Sequence, residues 1–143
     1  MIVKIYLEKG AKMPTRAHDT DYGWDVCATT KEVKSQRITY GTGIHLAPQT
    51  DGKNVCVQAF SRSSVFNTGL VLSNGVGIVD SGYRGEVMAK FYQVVSGKTY
   101  DIGDRIIQIA LSNGEPIVWE QVETLEELGT TDRGDGGYGS TGR

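Results

Sequence analysis

The sequence predicts an all-β domain, a sandwich or barrel of short strands with one or two very short helices, and three observations predict it. Short apolar runs recur along the chain: Ile2 to Leu7, Ile44 to Leu46, Val55 to Phe60, Leu70 to Leu72, Val76 to Val79, Val87 to Val95, Ile106 to Leu111 and Ile117 to Val122. Turn residues, glycine above all, separate them. Helical character is confined to two brief stretches, one after Ser61 and one from Glu123 to Leu128, where Val122, Leu125 and Leu128 recur at helix spacing.

With 143 residues the chain can bury one sizeable core and not two ordinary ones. Hydrophobic residues make up 38% and charged residues 22%, the composition of a globular protein. No run approaches membrane-spanning length, and a membrane is not an expected partner. The start alternates apolar and polar residues and carries Glu8 early, unlike a secretory signal. The protein is therefore expected inside the cell, in the cytoplasm if bacterial and in a host-cell interior if viral. A net charge of -2 gives no electrostatic footprint for a polyanionic backbone, so nucleic acid is not an expected partner. Cys27 and Cys56 form no CxxC pair and sit in apolar, strand-like settings, which reads as two reduced core residues.

Residues 129–143 change character. Gly129, Gly134, Gly136, Gly137, Gly139 and Gly142 dominate, and Tyr138 is the one large side chain. Such a segment builds no packed core and reads equally as a flexible end. Its content also suits a phosphate: Arg133 and Arg143 flank Ser140-Thr141, and glycine frees backbone amides. Two units follow, a β domain over 1–128 and a glycine-rich tail over 129–143.

Four internal segments could carry chemistry. Asn74 to Gly85 reads as a β-hairpin with Asp80 and Tyr83 at its turn. Asp80 follows apolar and glycine residues that could partly desolvate it, and a carboxylate so placed can take a proton from water, or simply cap a turn. Phe60 to Val65 follows a strand and opens a helical turn, so hydroxyls, Arg62 and free amides suit an anion as well as an ordinary serine cap. Gly103 to Gln108 puts a turn before an apolar strand on which Gln108 faces opposite to its neighbours, and Gly23-Trp24-Asp25 sets a carboxylate beside an aromatic. His18 and His45 are isolated from each other and from both cysteines, which gives no zinc pattern, and no GxxxxGK[ST] segment is present.

Taken in order, these segments resemble the five motifs of the trimeric dUTPase family, over nearly the whole chain from Ala11 to Arg143. The first motif resembles Asp21 to Ala28, the second Arg62-Ser63-Ser64, the third Asn74 to Gly85, the fourth Gly103 to Gln108 and the fifth Arg133 to Gly142. The resemblance implies a jelly-roll-like subunit, a homotrimer with sites shared between neighbouring chains, and hydrolysis of dUTP to dUMP and pyrophosphate. That reaction keeps uracil out of DNA and supplies dUMP for thymidylate synthesis.

Residue by residue, the resemblance implies that Asp80 activates water for attack on the α-phosphorus. Uracil is received by main-chain groups of Ile78, Val79 and Met88 together with the Asn74 side chain. Tyr83 packs under the deoxyribose and leaves no space for a 2′-hydroxyl. Arg62, Ser63, Ser64 and Gln108 face the phosphates, and Arg105 supports them. Magnesium (Mg2+) is the implied cofactor, held mainly by the triphosphate, with Asp25 reaching it through water. Arg133, Gly139, Ser140 and Thr141 clasp phosphate while Tyr138 stacks on the base.

Four positions depart from the usual pattern: Tyr22 for a small residue, Trp24 for a tyrosine, Gly82 for an acidic residue and Tyr138 for a phenylalanine. None removes a reacting group. A dCTP deaminase shares the fold and parts of these motifs, but the complete fifth motif favours a dUTPase. Retention of Asp80 argues against a purely nucleotide-sensing module, and a structural jelly-roll protein would not need Asp80, Tyr83 and the tail together.

Overall fold

The computed structural model describes residues 1–139 and Gly142. Eleven strands form three sheets around one core: β1 (Ile2–Leu7), β2 (Trp24–Cys27), β3 (Thr30–Lys34), β4 (Arg37–Gly41), β5 (Ile44–Pro48), β6 (Val57–Ser61), β7 (Leu70–Leu72), β8 (Gly77–Val79), β9 (Met88–Gln93), β10 (Arg105–Leu111) and β11 (Val118–Val122). The two helical stretches are single 3₁₀ segments, Ser63–Asn67 and Leu125–Leu128. The sheets run β11-β1-β5, β2-β10-β6-β8 and β3-β4-β9-β7, and none closes on itself. The all-β expectation holds, on the sandwich side rather than the barrel side.

Alternation explains the core. In β1, Val3 and Ile5 are buried while Ile2 and Lys4 turn outward, and in β9 Ala89 and Phe91 are buried between more exposed neighbours. β10, central in its sheet, is buried almost throughout: Ile106, Ile107, Ile109, Ala110 and Leu111. Tyr40, Phe91 and Tyr100 meet edge to face at 5.7–6.3 Å. β1 lies between β5, antiparallel, and β11, parallel, with Ile2 opposite Val118 and Tyr6 opposite Val122. A smaller cluster of Ala47, Val122 and Leu128, with Tyr6 against it, seats the second 3₁₀ segment and with it the root of the glycine-rich tail.

Two sequence expectations need correction. Asn74 to Gly85 is not a hairpin: β8 pairs with β6 in one sheet, whereas β9 pairs with β4 and β7 in another, so residues 80–87 form a corner between sheets. Glycine and an acidic turn residue accompany either geometry, and only long-range pairing separates them. The cysteines are free, as expected, but both are half-buried, and Cys56 lies just before β6 rather than within it. The β3–β4 hairpin gave no apolar run, because the exposed face of TKEVK is charged and its two-residue turn uses Ser35 at φ 57 instead of glycine.

Candidate active site

Strand pairing gathers the first group of side chains. β10 carries Gln108 opposite Asp25 on β2 and opposite Phe60 on β6, so the end of β6, the Ser61-Arg62 link and Asp25 converge. A register shift between Arg105 and Ile107 bends the start of β10 and aims Arg105 at the same carboxylate. The Asp25 carboxylate accepts from Arg62 Nε at 2.7 Å and Nη2 at 3.2 Å, a bidentate fork, and from Arg105 Nη1 at 3.1 Å. Arg62 also donates to the Ser64 hydroxyl at 3.0 Å, and Gln108 donates to the Ser61 carbonyl at 3.2 Å. A Cβ at Gly23 would collide with the Gln108 amide, so glycine at that position leaves Gln108 its place. Asp25, Ser61, Arg62, Arg105 and Gln108, with Gly23 and Ser63, line an open cleft of about 880 Å³.

A second group forms where the chain crosses from β8 to β9. Gly77 faces Ala59 so closely that a Cβ would sit 3.2 Å from the alanine methyl, and this bare backbone floors a pocket of about 200 Å³. Asn74, Ile78, Val79, Asp80, Tyr83 and Met88 line it, as do Arg133 and Tyr138 from the tail. A turn closed by Tyr83 N–H donating to Asp80 C=O at 2.9 Å presents both side chains. Asp80 is 54% exposed, so the partial desolvation expected from its apolar neighbours is not found; the chain leaves β8 at that residue and turns outward. Tyr83 lies flat over Gly85, where any Cβ would enter the ring, and its hydroxyl donates to the Glu86 carbonyl at 3.0 Å. Burial raises the Tyr83 pKa above its ordinary value, with Glu86 and Asp135 adding to the shift, so the phenol stays neutral through physiological pH.

The tail follows this corner. The Thr131 hydroxyl donates to Gly82 C=O, Arg84 N–H donates to Gly134 C=O at 2.6 Å, and Gly137 packs against Tyr83. Arg133 stands 3.6 Å from Asp80 and donates to Gly136 C=O at 2.8 Å. The Tyr138 hydroxyl donates to Met88 C=O at 3.0 Å, and burial, then Tyr83, raises its pKa. Gly139 is exposed at φ 96, a conformation suited to glycine. Ser140 and Thr141 lie outside the described residues.

Sequence reading singled out no role for Arg84, which binds the corner together. Its guanidinium donates to Ser81 and Tyr83 carbonyls at 2.7 and 3.1 Å, to Leu46 at 3.4 Å, and to Leu128 and Gly129 at 3.1 and 3.2 Å. The Arg84 carbonyl in turn meets His45 Nδ1 at 2.8 Å, whose Nε2 meets Glu8 at 2.8 Å. All these acceptors of Arg84 are main-chain oxygens, so no side-chain pattern in the sequence could have marked them. Lys90, 3.8 Å from the centre of the Tyr138 ring, was likewise unmarked.

Among the described residues, none lines both cavities. Within one chain the guanidinium-rich cleft and the aromatic pocket stay separate.

Comparison with known proteins gives the family. The dUTPase family model matches residues 9–142. This chain belongs to the dUTPase family. Deoxyuridine 5'-triphosphate nucleotidohydrolase of Rhodococcus erythropolis is 35% identical over 140 residues, covering 95% of this chain and 82% of the relative. Its namesake from Corynebacterium glutamicum is 36% identical over 144 residues, covering 97% and 93%. Among solved structures, the dUTPase of Staphylococcus bacteriophage 80alpha with dUpNHpp superposes with a TM-score of 0.63 at 23% identity, over 99% of this chain and 98% of that one. The Streptococcus mutans dUTPase gives 0.64 at 22% identity, over 80% and 96%. Those structures support the fold, and the dUTPase family model and curated relatives make the chain a nucleotide hydrolase acting on dUTP.

Proposed function

We propose that the chain cleaves dUTP to dUMP and pyrophosphate at sites assembled between subunits of a homotrimer, with Asp80 as general base. The carrying observation is the split between the two cavities. At about 200 Å³ the pocket beside Asp80 falls below the roughly 300–1,000 Å³ of a typical ligand site and cannot take a whole nucleoside triphosphate. It suits a pyrimidine nucleoside, and Arg133, the one guanidinium among its described lining residues, is paired with Asp80, so the phosphates need further cationic and hydrogen-bonding groups. Arg62, Ser63, Ser64, Gln108 and Arg105 of a neighbouring subunit supply them.

In this reading the backbone of Ile78, Val79 and Met88 and the Asn74 amide read uracil. Cytosine exchanges a donor for an acceptor on that edge, and unpaired polar groups support rejection of about 10⁴-fold. Tyr83, fixed over Gly85, excludes a 2′-hydroxyl. Solvent-exposed Asp80 takes a proton from water as the water oxygen attacks the α-phosphorus; the bond to the bridging oxygen breaks and pyrophosphate leaves. Residues 129–143 close the site: Tyr138 stacks on the base, and Arg133, Gly139, Ser140 and Thr141 turn to phosphate. Arg133 gives up only an exposed pairing with Asp80, worth about 0.2–1 kcal/mol.

The donor set fits magnesium carried by the substrate. Among the described residues no three His, Cys, Asp or Glu side chains converge. Asp25 already accepts three guanidinium hydrogen bonds of about four possible, which leaves room for one water-mediated contact. Bound to the triphosphate, the ion would neutralise charge that develops on the leaving pyrophosphate. A dUTPase variant from Staphylococcus aureus phage phi11 is described with a structural Mg(II) ion.

Pyrophosphate release with magnesium, compared for dUTP, dCTP, dTTP and UTP, tests the proposal. Turnover of dUTP alone is expected, and Asp80→Asn should lower kcat by at least 100-fold while dUTP still binds. Ammonia from dCTP would assign the deaminase reaction instead, and binding without turnover a sensing module.

A further inference from the structure

Tyr138 is held at two points in the nucleotide-free chain. Its hydroxyl donates to Met88 C=O, and the Lys90 ammonium lies 3.8 Å from its ring centre, within cation–π range. Both contacts follow from β9. Ala89 and Phe91 point into the core, so Met88 and Lys90 share the outer face, and an aromatic ring that reaches the Met88 carbonyl comes within reach of Lys90. The path of the tail leads there: Thr131 and Gly134 are pinned to Gly82 and Arg84, and Gly137 lies on the Tyr83 ring.

We infer that Lys90 is a positioning residue that docks the tail through Tyr138 before nucleotide arrives. The inference rests on the proposed role of Tyr138 in closing over the base. A ring has two faces; with the cation on one, the other is left to stack, and much of the entropy of ordering the tail is already spent when dUTP enters. Phenylalanine, lacking a hydroxyl, could make only the cation–π contact.

The tail supplies its own reporter, because trypsin cleaves after Arg133, and cleavage of an opening segment tracks its open population when closing is fast. In nucleotide-free protein, Lys90→Ala should speed cleavage at the Arg133–Gly134 bond about 2- to 5-fold, the range of an exposed cation–π contact. Lys90→Arg should restore the wild-type rate. In turnover, Lys90→Ala should raise the KM for dUTP by a similar factor and leave kcat unchanged. Tyr138→Leu, which removes the hydroxyl contact with Met88 as well and cannot disturb the β core, should speed cleavage at least as much, and adding Lys90→Ala should change nothing further. Unchanged cleavage in Lys90→Ala would overturn the inference, as would additive effects in the double variant or a fall in KM, which would mean that the docked tail obstructs the site. Failure of the wild-type protein to turn over dUTP would remove the function proposed above, whereas the nucleotide-free cleavage comparison would still decide the docking.

Discussion

Replacing Asp25 by asparagine removes one charge, keeps the side-chain shape, and tests whether this carboxylate fixes the two arginines. Asparagine offers one acceptor oxygen and turns an NH2 group toward guanidinium donors, so the fork with Arg62 cannot be remade. The bond with Arg62 joins side chains that are only 20% and 15% exposed, and a hydrogen bond to a charged group contributes about 1.5–3 kcal/mol. Arg105 is 51% exposed, so its pairing contributes about 1 kcal/mol at most. The sum is about 2–4 kcal/mol, or a fall in Tm of roughly 4–16 °C for a domain of this size. Arg62 and Arg105, released, should also bind phosphate less well, with kcat/KM for dUTP down about 10- to 100-fold. Thermal unfolding at one protein concentration, since assembly shifts Tm, and steady-state turnover are the measurements. A Tm within 2 °C of wild type would refute the clamp; lost activity at unchanged Tm would leave Asp25 only its water-mediated contact with magnesium.

Other perturbations probe the corner between β8 and β9. Gly85→Ala places a methyl in the Tyr83 ring and should displace it, so discrimination of dUTP from UTP should fall at least 10-fold; parallel kcat/KM measurements check this. Arg84→Lys keeps the charge but cannot bridge carbonyls of Leu46, Ser81, Tyr83, Leu128 and Gly129, and should cost about 1–3 kcal/mol, visible as a lower Tm together with faster tryptic cleavage of the tail.

The fold was legible where burial leaves a pattern. Ile2 to Leu7 and Leu70 to Leu72 became strands with the expected ends, and the ends of the other apolar runs moved by at most two residues. What failed was whatever depends on partners far along the chain. The Asn74 to Gly85 segment holds the right turn residues, yet which sheet receives each strand is decided by β4, β6 and β7. The charged strand β3 buries almost nothing and so left no signal. For the candidate site, Asp25, Arg62, Arg105 and Gln108 in the cleft and Asp80, Tyr83, Arg133 and Tyr138 in the pocket could be singled out by type and order. Arg84 and Lys90 act through main-chain oxygens and a ring face, which no local pattern encodes.

The parallel pairing of β1 with β11 also bears on synthesis. Ile2 sits opposite Val118, so at about 5–20 residues per second a ribosome takes roughly 6–23 s to deliver the partner of a strand it made at the outset. During that interval β5 can cover one edge of β1, while the other stays open as a template for any extended chain nearby. The sheet closes with the same stretch that brings out Leu128, the anchor of the tail. A nascent chain therefore has nowhere to fasten its tail until Leu128 has emerged, and a crowded polysome is where mispairing of β1 would be most frequent.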